Sequence, residues 1–136
     1  ALRARNPAAI RPHQPVLDPL DGYLESARRQ YENPSLAGSY NIGPDERDCV
    51  TTGELTTLFC NAWGEGMRWE HRPDGGPHEA TYLRLDCAYI AERLGWTPKW
   101  HIDEAVGQTV AWAKAYRDGA DLRACMLEQL RAFDRA

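Results

Sequence analysis

Hydrophobic side chains recur every three or four residues in five stretches of the chain, the spacing of amphipathic helices. The first stretch runs from about Pro19 to Glu32, with Asp18 as its N-cap, and it ends at Asn33 before a proline. Its apolar positions are Leu20, Tyr23, Leu24, Ala27 and Tyr31. We expect these five residues to form the buried face of the first helix.

Capping signals place the other four helices. Thr51 and Glu54 are spaced as a capping box, which predicts a second helix that ends at Gly64. The third helix is bounded by Asp86 and Gly95, the fourth runs from about Ile102 to Arg117, and the fifth starts after Asp121. The residues expected to face inward on these helices are Leu55, Leu58, Phe59, Ala62, Ile90, Ala91, Leu94, Val106, Val110, Ala113, Tyr116, Leu122, Met126, Leu130 and Phe133.

Short β-prone segments separate the helices. The pattern predicts strands at residues 39–42, 67–71 and 80–85, and the last alternates so that Tyr82 and Arg84 share one face. Strands this short are not stable alone, so they should pair with one another or with strands that the chain does not contain. We predict a small, mostly helical α+β fold with two or three short strands, in which residues 1–136 form a single domain.

Composition narrows the class of protein. The 136 residues carry a net charge of −4 with no basic stripe, which argues against a nucleic-acid partner. No apolar run reaches membrane-spanning length and no signal-peptide pattern is present, so we expect a cytoplasmic protein without a membrane partner. The chain begins with Ala1 rather than methionine, which indicates a processed or truncated piece of something longer.

Cysteine and histidine spacing shows no metal site. Four scattered cysteines without a Cys-x-x-Cys pair favour free thiols in a reducing compartment over disulfides. Among the histidines, only His71 and the neighbours His78 and Glu79 could be imagined as ligands, and we predict no metal.

The chain lacks the motifs of a complete enzyme. It contains neither a G-x-G-x-x-G loop nor a Walker sequence, so no cofactor-binding residues are predicted within it. Its two lysines, Lys99 and Lys114, follow Gly95 and Val110 by four positions, which excludes a Tyr-x-x-x-Lys pair. We therefore predict no catalytic residue in this polypeptide.

Polar residues near the predicted segment ends are the candidates for binding. Arg11 lies in an extended segment just ahead of a helix start, where a guanidinium and backbone donors suit an anion, although this segment alone favours a surface salt bridge. Gln14 is kept out of the helix by the proline that follows it. Asn41 either binds a ligand or bonds the turn at Gly43-Pro44, and His78 and Glu79 either bind or pin their loop.

Several segments resemble one enzyme family. They are AIRP at 9–12, QPVLDPLDGYL at 14–24, YNIGP at 40–44, PHEATYLRLD at 77–86 and LGWTPKW at 94–100. The chain resembles the C-terminal portion of the extended short-chain dehydrogenase/reductases that act on nucleotide sugars. The segments at 14–24 and 77–86 indicate the CDP-glucose 4,6-dehydratase branch of that family. His13 and Pro15 depart from the family pattern, which has tryptophan and histidine there.

The resemblance implies a function for the intact enzyme. Such enzymes use NAD, held by an N-terminal Rossmann domain, to convert CDP-glucose to CDP-4-keto-6-deoxyglucose for surface polysaccharide. The resemblance places Arg11 at the nucleotide diphosphate, Asn41 on the nucleotide side and His78 in a bordering loop. It implies that the chain binds a CDP-sugar, is inactive without its Rossmann half, and exposes an apolar patch where that half packs. A homo-oligomer, a free-standing non-catalytic module and another epimerase or dehydratase remain open.

Overall fold

The computed structural model describes residues 1–73, 75–76 and 80–136. These residues form five α-helices and one two-stranded parallel sheet, which confirms the predicted small α+β fold. The strands are β1 (Leu2–Ala4) and β2 (Trp69–His71), and the helices are α1 (Leu17–Glu32), α2 (Thr52–Trp63), α3 (Ala88–Leu94), α4 (Ile102–Arg117) and α5 (Leu122–Asp134).

Local caps explain where most helices begin and end. The predicted capping box of α2 is present, since the Thr51 hydroxyl accepts from the Glu54 amide at 3.1 Å and the Glu54 carboxylate accepts from the Thr51 amide at 2.8 Å. Asp121 accepts from the Ala124 amide at 3.1 Å and so caps α5. Gly95 ends α3 with φ of 60°, a left-handed conformation that glycine adopts at little cost.

Helix α4 takes its cap from a distant segment. Its N-cap residue, His101, makes no capping bond with its own side chain. Instead the buried Asp48 accepts from the Ile102 amide at 3.0 Å through Oδ1, and its Oδ2 lies 2.8 Å from His101 Nδ1. This long-range cap fixes the start of α4 against the short 3-10 turn Glu46–Asp48.

The strand predictions are only partly right. Residues 67–71 contain β2, but 39–42 and 80–85 are irregular apart from one bridge at Tyr82, and β1 was not predicted. Strand β1 pairs in parallel with β2, with Leu2 opposite Trp69 and Ala4 opposite His71. Residues 39–42 pack Tyr40 and Ile42 against the core without a strand beside them, so β-prone residues between turn signals were not enough to form a strand there.

The apolar interior has two parts. One is the cluster of Ile90, Leu94 and Trp96, against which Tyr40 and Ile42 pack. The other surrounds α4, which packs between α2 and α5 and buries Ala105, Val106, Val110, Trp100 and Phe133.

Helix α1 buries the face opposite to the one that was predicted to be buried. Its expected buried stripe faces solvent, with Leu24 at 74% and Tyr31 at 90% exposed, whereas Asp18 and Gly22 are buried. Asp18 was also predicted as the N-cap, but the helix starts at Leu17, two residues before the predicted start, and Asp18 accepts from the Lys99 amide at 2.8 Å. Polar contacts, rather than the apolar stripe, therefore attach α1 to the interior.

Four other predicted inward positions are exposed for a related reason. They are Ala62 on α2, Tyr116 at the end of α4, and Met126 and Leu130 on α5. Each lies on a helix of which another apolar position is buried or partly buried, so these helices are packed on one side only. Helical periodicity identified the apolar faces but not what covers them.

Candidate functional site

Arg11 is held by main-chain bonds where three distant segments meet. The Ile10 amide donates to the Thr81 carbonyl at 2.9 Å, and the Ile10 carbonyl accepts from the Leu83 amide at 3.2 Å. The Arg11 amide donates to the Val50 carbonyl at 3.3 Å. The backbone of Arg11 is thus fixed by residues 39 and more positions away in sequence, as a binding residue requires.

The Arg11 side chain is half-buried, and its Nη1 donates to the Ile10 carbonyl at 2.8 Å. A guanidinium carries five N–H donors in a planar fork, a geometry that suits phosphate and carboxylate oxygens. The segment before it closes the start of α2, because the Thr52 and Gly53 amides donate to the carbonyls of Ala9 and Pro7. The first α2 amides are therefore occupied, and Arg11 is the stronger candidate for binding an anion in this region.

Gln14 lies in a different environment from Arg11. It lines an apolar cavity of about 370 Å³ together with Leu55, Phe59 and Val106. Among the described residues, Gln14 Oε1 and the neighbouring His13 Nε2 are buried without a hydrogen-bond partner. Burial, and secondarily the positive charge of Arg11, lowers the pKa of His13, so its imidazole is neutral at pH 7.

Asn41 is exposed and attached to the start of α3. Its Nδ2 donates to the Asp86 carbonyl at 3.0 Å, which differs from the bond to the Gly43-Pro44 turn considered from the sequence. Asp86 is only three residues beyond Leu83, which bonds to Ile10 beside Arg11. Three residues span at most about 11 Å, so segment 81–86 keeps the attachment points of Arg11 and Asn41 close.

The other two candidates, His78 and Glu79, lie outside the described residues. The structure thus connects Arg11 and Asn41 through segment 81–86, whereas Gln14 lines a separate apolar cavity.

No group of three or more histidine, cysteine or acidic side chains that could hold a metal ion occurs within residues 1–73, 75–76 and 80–136.

A polar cavity of about 620 Å³ beside segment 81–86 contains a residue that sequence reasoning did not select. This residue is Arg84, whose guanidinium carbon lies 5.0 Å from the Tyr82 ring centre and which pairs with Glu46. The predicted alternation, which set Tyr82 and Arg84 on one face, was the available signal. Asp45, Glu46 and Asp86 also line this cavity, so its excess of negative charge suits a diphosphate less well than Arg11 does.

No protein-family model matches the chain. Over 130 residues, or 95% of its length, the chain is 38% identical to a protein of Salmonella typhimurium. That protein is CDP-glucose 4,6-dehydratase. The resemblance inferred from the sequence motifs is therefore confirmed.

The similarity covers a limited part of the relative. The chain spans 36% of the length of the Salmonella dehydratase, consistent with the C-terminal portion that the motifs indicate.

None of the helices in the described part of the chain is long and apolar enough to cross a membrane.

Proposed function

We propose that the chain is the nucleotide-sugar-binding part of a CDP-glucose 4,6-dehydratase-like enzyme. The observation that carries the proposal is the 38% identity to the Salmonella dehydratase across nearly the whole chain. The longer protein would convert CDP-glucose to CDP-4-keto-6-deoxyglucose with NAD. Residues 1–136 would act as one domain of it, in the cytoplasm.

In this proposal Arg11 binds the diphosphate of the substrate. Its backbone is fixed by Val50 and by the Ile10 bonds to segment 81–86, and the planar guanidinium matches the two-pronged geometry of a phosphate. Asn41, tied to the far end of the same segment, would contact the phosphate or ribose. Gln14, His78 and Glu79 stay proposed substrate contacts.

Binding at the nucleotide end would act on a reaction that occurs elsewhere. Contacts remote from the reacting sugar carbons supply binding energy and hold the sugar in place for catalysis. This chain would therefore contribute affinity and orientation, and we assign it no proton or hydride transfer.

The residues described here do not fit NAD. A dinucleotide loop needs glycines between a strand and the helix that follows it. Among the described residues, four of the five glycines with positive φ end or follow a helix, namely Gly64, Gly66, Gly95 and Gly119. The fifth, Gly75, follows β2 but lies more than ten residues before the start of α3 at Ala88, so it is not part of a tight strand-to-helix turn. We therefore propose that NAD is held by another part of the longer protein and that the chain alone is inactive.

The test is steady-state kinetics of Arg11 variants in the full gene product that contains this chain. A charge-assisted bond to phosphate contributes roughly 1.5–3 kcal/mol, so Arg11→Ala should weaken CDP-glucose binding about tenfold to a hundredfold. Most of the loss should appear in KM, because the contact is remote from the reacting carbons. Arg11→Lys should recover only part, since lysine lacks the planar two-pronged geometry.

The matched control is Arg123→Ala, which removes an exposed arginine from α5 and should leave the kinetics unchanged. Thermal melts of each variant check that the protein is folded. A folded Arg11→Ala enzyme with unchanged KM and kcat would show that Arg11 does not bind the diphosphate of the substrate.

A further inference from the structure

An apolar cavity between α2 and α4 contains two buried polar atoms that no described residue satisfies. Leu55 and Phe59 of α2 and Val106 of α4 line this cavity of about 370 Å³, called here the α2–α4 cavity. His13 and Gln14 line it as well, and the His13 Nε2 and Gln14 Oε1 atoms are buried without a hydrogen-bond partner among the described residues. A buried polar atom left without a partner is costly, so folded proteins usually satisfy it with an ordered water or a ligand atom.

The threonine hydroxyl groups of the α2–α4 cavity are already used. Thr56 and Thr109 also line the cavity, but their Oγ1 atoms donate to carbonyls one turn earlier in their own helices. Thr109 donates to Ala105 at 2.8 Å, and Thr56 donates to Thr52. Because a hydroxyl has a single proton to donate, neither threonine supplies Gln14 Oε1 with a donor. A donor for this oxygen has to come from a molecule that enters the cavity.

The segment that carries the two polar atoms is held in place by its own backbone. The His13 amide donates to the Arg11 carbonyl at 3.0 Å, which closes a three-residue turn around Pro12. Pro12 and Pro15 restrict the backbone on either side of His13 and Gln14. The two atoms are therefore positioned at the cavity before a ligand arrives, as a binding site requires.

The lining of the α2–α4 cavity defines the kind of molecule that fits it. Burial, and secondarily the charge of Arg11, lowers the pKa of His13, so its imidazole is neutral at pH 7 and no described lining residue carries a charge. A charged ligand would lack a counter-charge there, which excludes the diphosphate proposed for Arg11. The Phe59 ring and the aliphatic walls favour a flat, uncharged ring, and the volume is in the range of small-molecule sites.

We propose that the α2–α4 cavity binds a small, uncharged aromatic ring whose N–H or O–H group donates to Gln14 Oε1. His13 Nε2 would make the second polar contact with the same ring. The inference goes beyond the proposed function, because Arg11 is not among the residues that line the cavity. The ring could come from two sources. One is the base of the substrate nucleotide, through which Gln14 would contact the substrate, and the other is a separate small molecule.

Calorimetric titration of the full gene product with indole and with indene provides the test. Indole carries one N–H donor, and indene has nearly the same shape without it. We expect indole to bind about tenfold more tightly than indene, because only indole satisfies Gln14 Oε1. This preference should disappear in Gln14→Leu. The matched control, Gln30→Leu, makes the same substitution on α1 outside the cavity and should keep the preference.

Each outcome decides the proposal. Displacement of indole by cytidine would assign the ring to the base of the substrate, and indole binding that cytidine does not affect would assign it to a separate molecule; both support the site. Equal affinity of the wild-type protein for indole and indene overturns the proposal, since the two polar atoms would then be satisfied by water only. A preference that survives in a folded Gln14→Leu protein also overturns it. If Gln14→Leu does not fold, the comparison in the wild type decides. CDP-glucose turnover, measured on the same sample without indole, tests the proposed function separately.

Discussion

Helices α1 and α4 have the same length and similar apolar spacing but opposite environments. Each has 16 residues. On α4 the stripe residues Val106 and Val110 are 6% and 4% exposed, whereas Leu24 on α1 is 74% exposed. Helix α4 packs between α2 and α5, while α1 is attached by carboxylates and one glycine. A hydrophobic stripe therefore identifies a helix face suited to packing, but it does not show which element packs on that face or where in the sequence that element lies.

A charged residue introduced into each apolar stripe should change the free energy of unfolding most. Val110→Asp in the 136-residue chain should lower the free energy of unfolding by more than about 3 kcal/mol, since it buries an unpaired carboxylate. Leu24→Asp should cost within about 1 kcal/mol, mostly through lower helix propensity, because the site is exposed. Urea unfolding followed by circular dichroism measures both.

One result of these two substitutions would contradict the difference between α1 and α4. If Leu24→Asp destabilised the chain alone as much as Val110→Asp does, the α1 stripe would be buried in solution and the orientation of α1 described here would be wrong.

Glycines on the two helices give the next largest effects, with opposite signs. Gly22→Val should cost about 1–3 kcal/mol by overpacking against Ile42 and Trp96. Gly107→Ala on α4 meets nothing within 4 Å, so it should gain up to about 1 kcal/mol from helix propensity. Thermal unfolding of both variants checks this, and a stabilising Gly22→Val would show that the contact of α1 with the core is loose.

The smallest effect is a pH dependence of stability from the buried Asp18. Burial raises the pKa of its carboxyl above the usual value, and the Lys99 amide bond only partly opposes this. The folded state therefore holds this proton more tightly than the unfolded state, and the corresponding stability is lost as the pH rises through the raised pKa. Asp18→Asn should gain stability relative to wild type between about pH 4 and pH 7, because asparagine does not ionise and so avoids the cost of a buried negative charge.

Urea midpoints at several pH values measure this difference. An Asp18→Asn variant that becomes relatively less stable as the pH rises would show that the ionised carboxylate is favoured in the folded chain, contrary to the direction stated here.

Local sequence predicted most of the helical structure and little of the sheet. The capping box at Thr51 and Glu54 and the left-handed Gly95 act within a few residues, so a sequence pattern is enough to identify them. Strand β1 depends on pairing with β2, more than 60 residues away, and Asp48 caps α4 from a distant turn. Neither long-range relation has a local pattern that a single sequence reveals.

The candidate site was predictable to a similar extent. The extended segment before α1 correctly indicated where Arg11 lies, but not that Val50 and Thr81 fix it. Gln14 was grouped with Arg11 as a polar residue near a predicted segment end, although its side chain lines a separate apolar cavity. Arg84 was missed as a site residue because its approach to Glu46 joins segments far apart in sequence.

A dehydratase assay on two proteins prepared side by side tests whether this chain is part of a CDP-glucose 4,6-dehydratase-like enzyme and is inactive alone. CDP-glucose and NAD are incubated with the full gene product and with the 136-residue chain, and formation of the 4-keto-6-deoxy sugar nucleotide is followed. We expect turnover by the full product and none above background by the chain alone. Turnover by the isolated chain, or a longer product that binds CDP-glucose without converting it, would contradict this expectation.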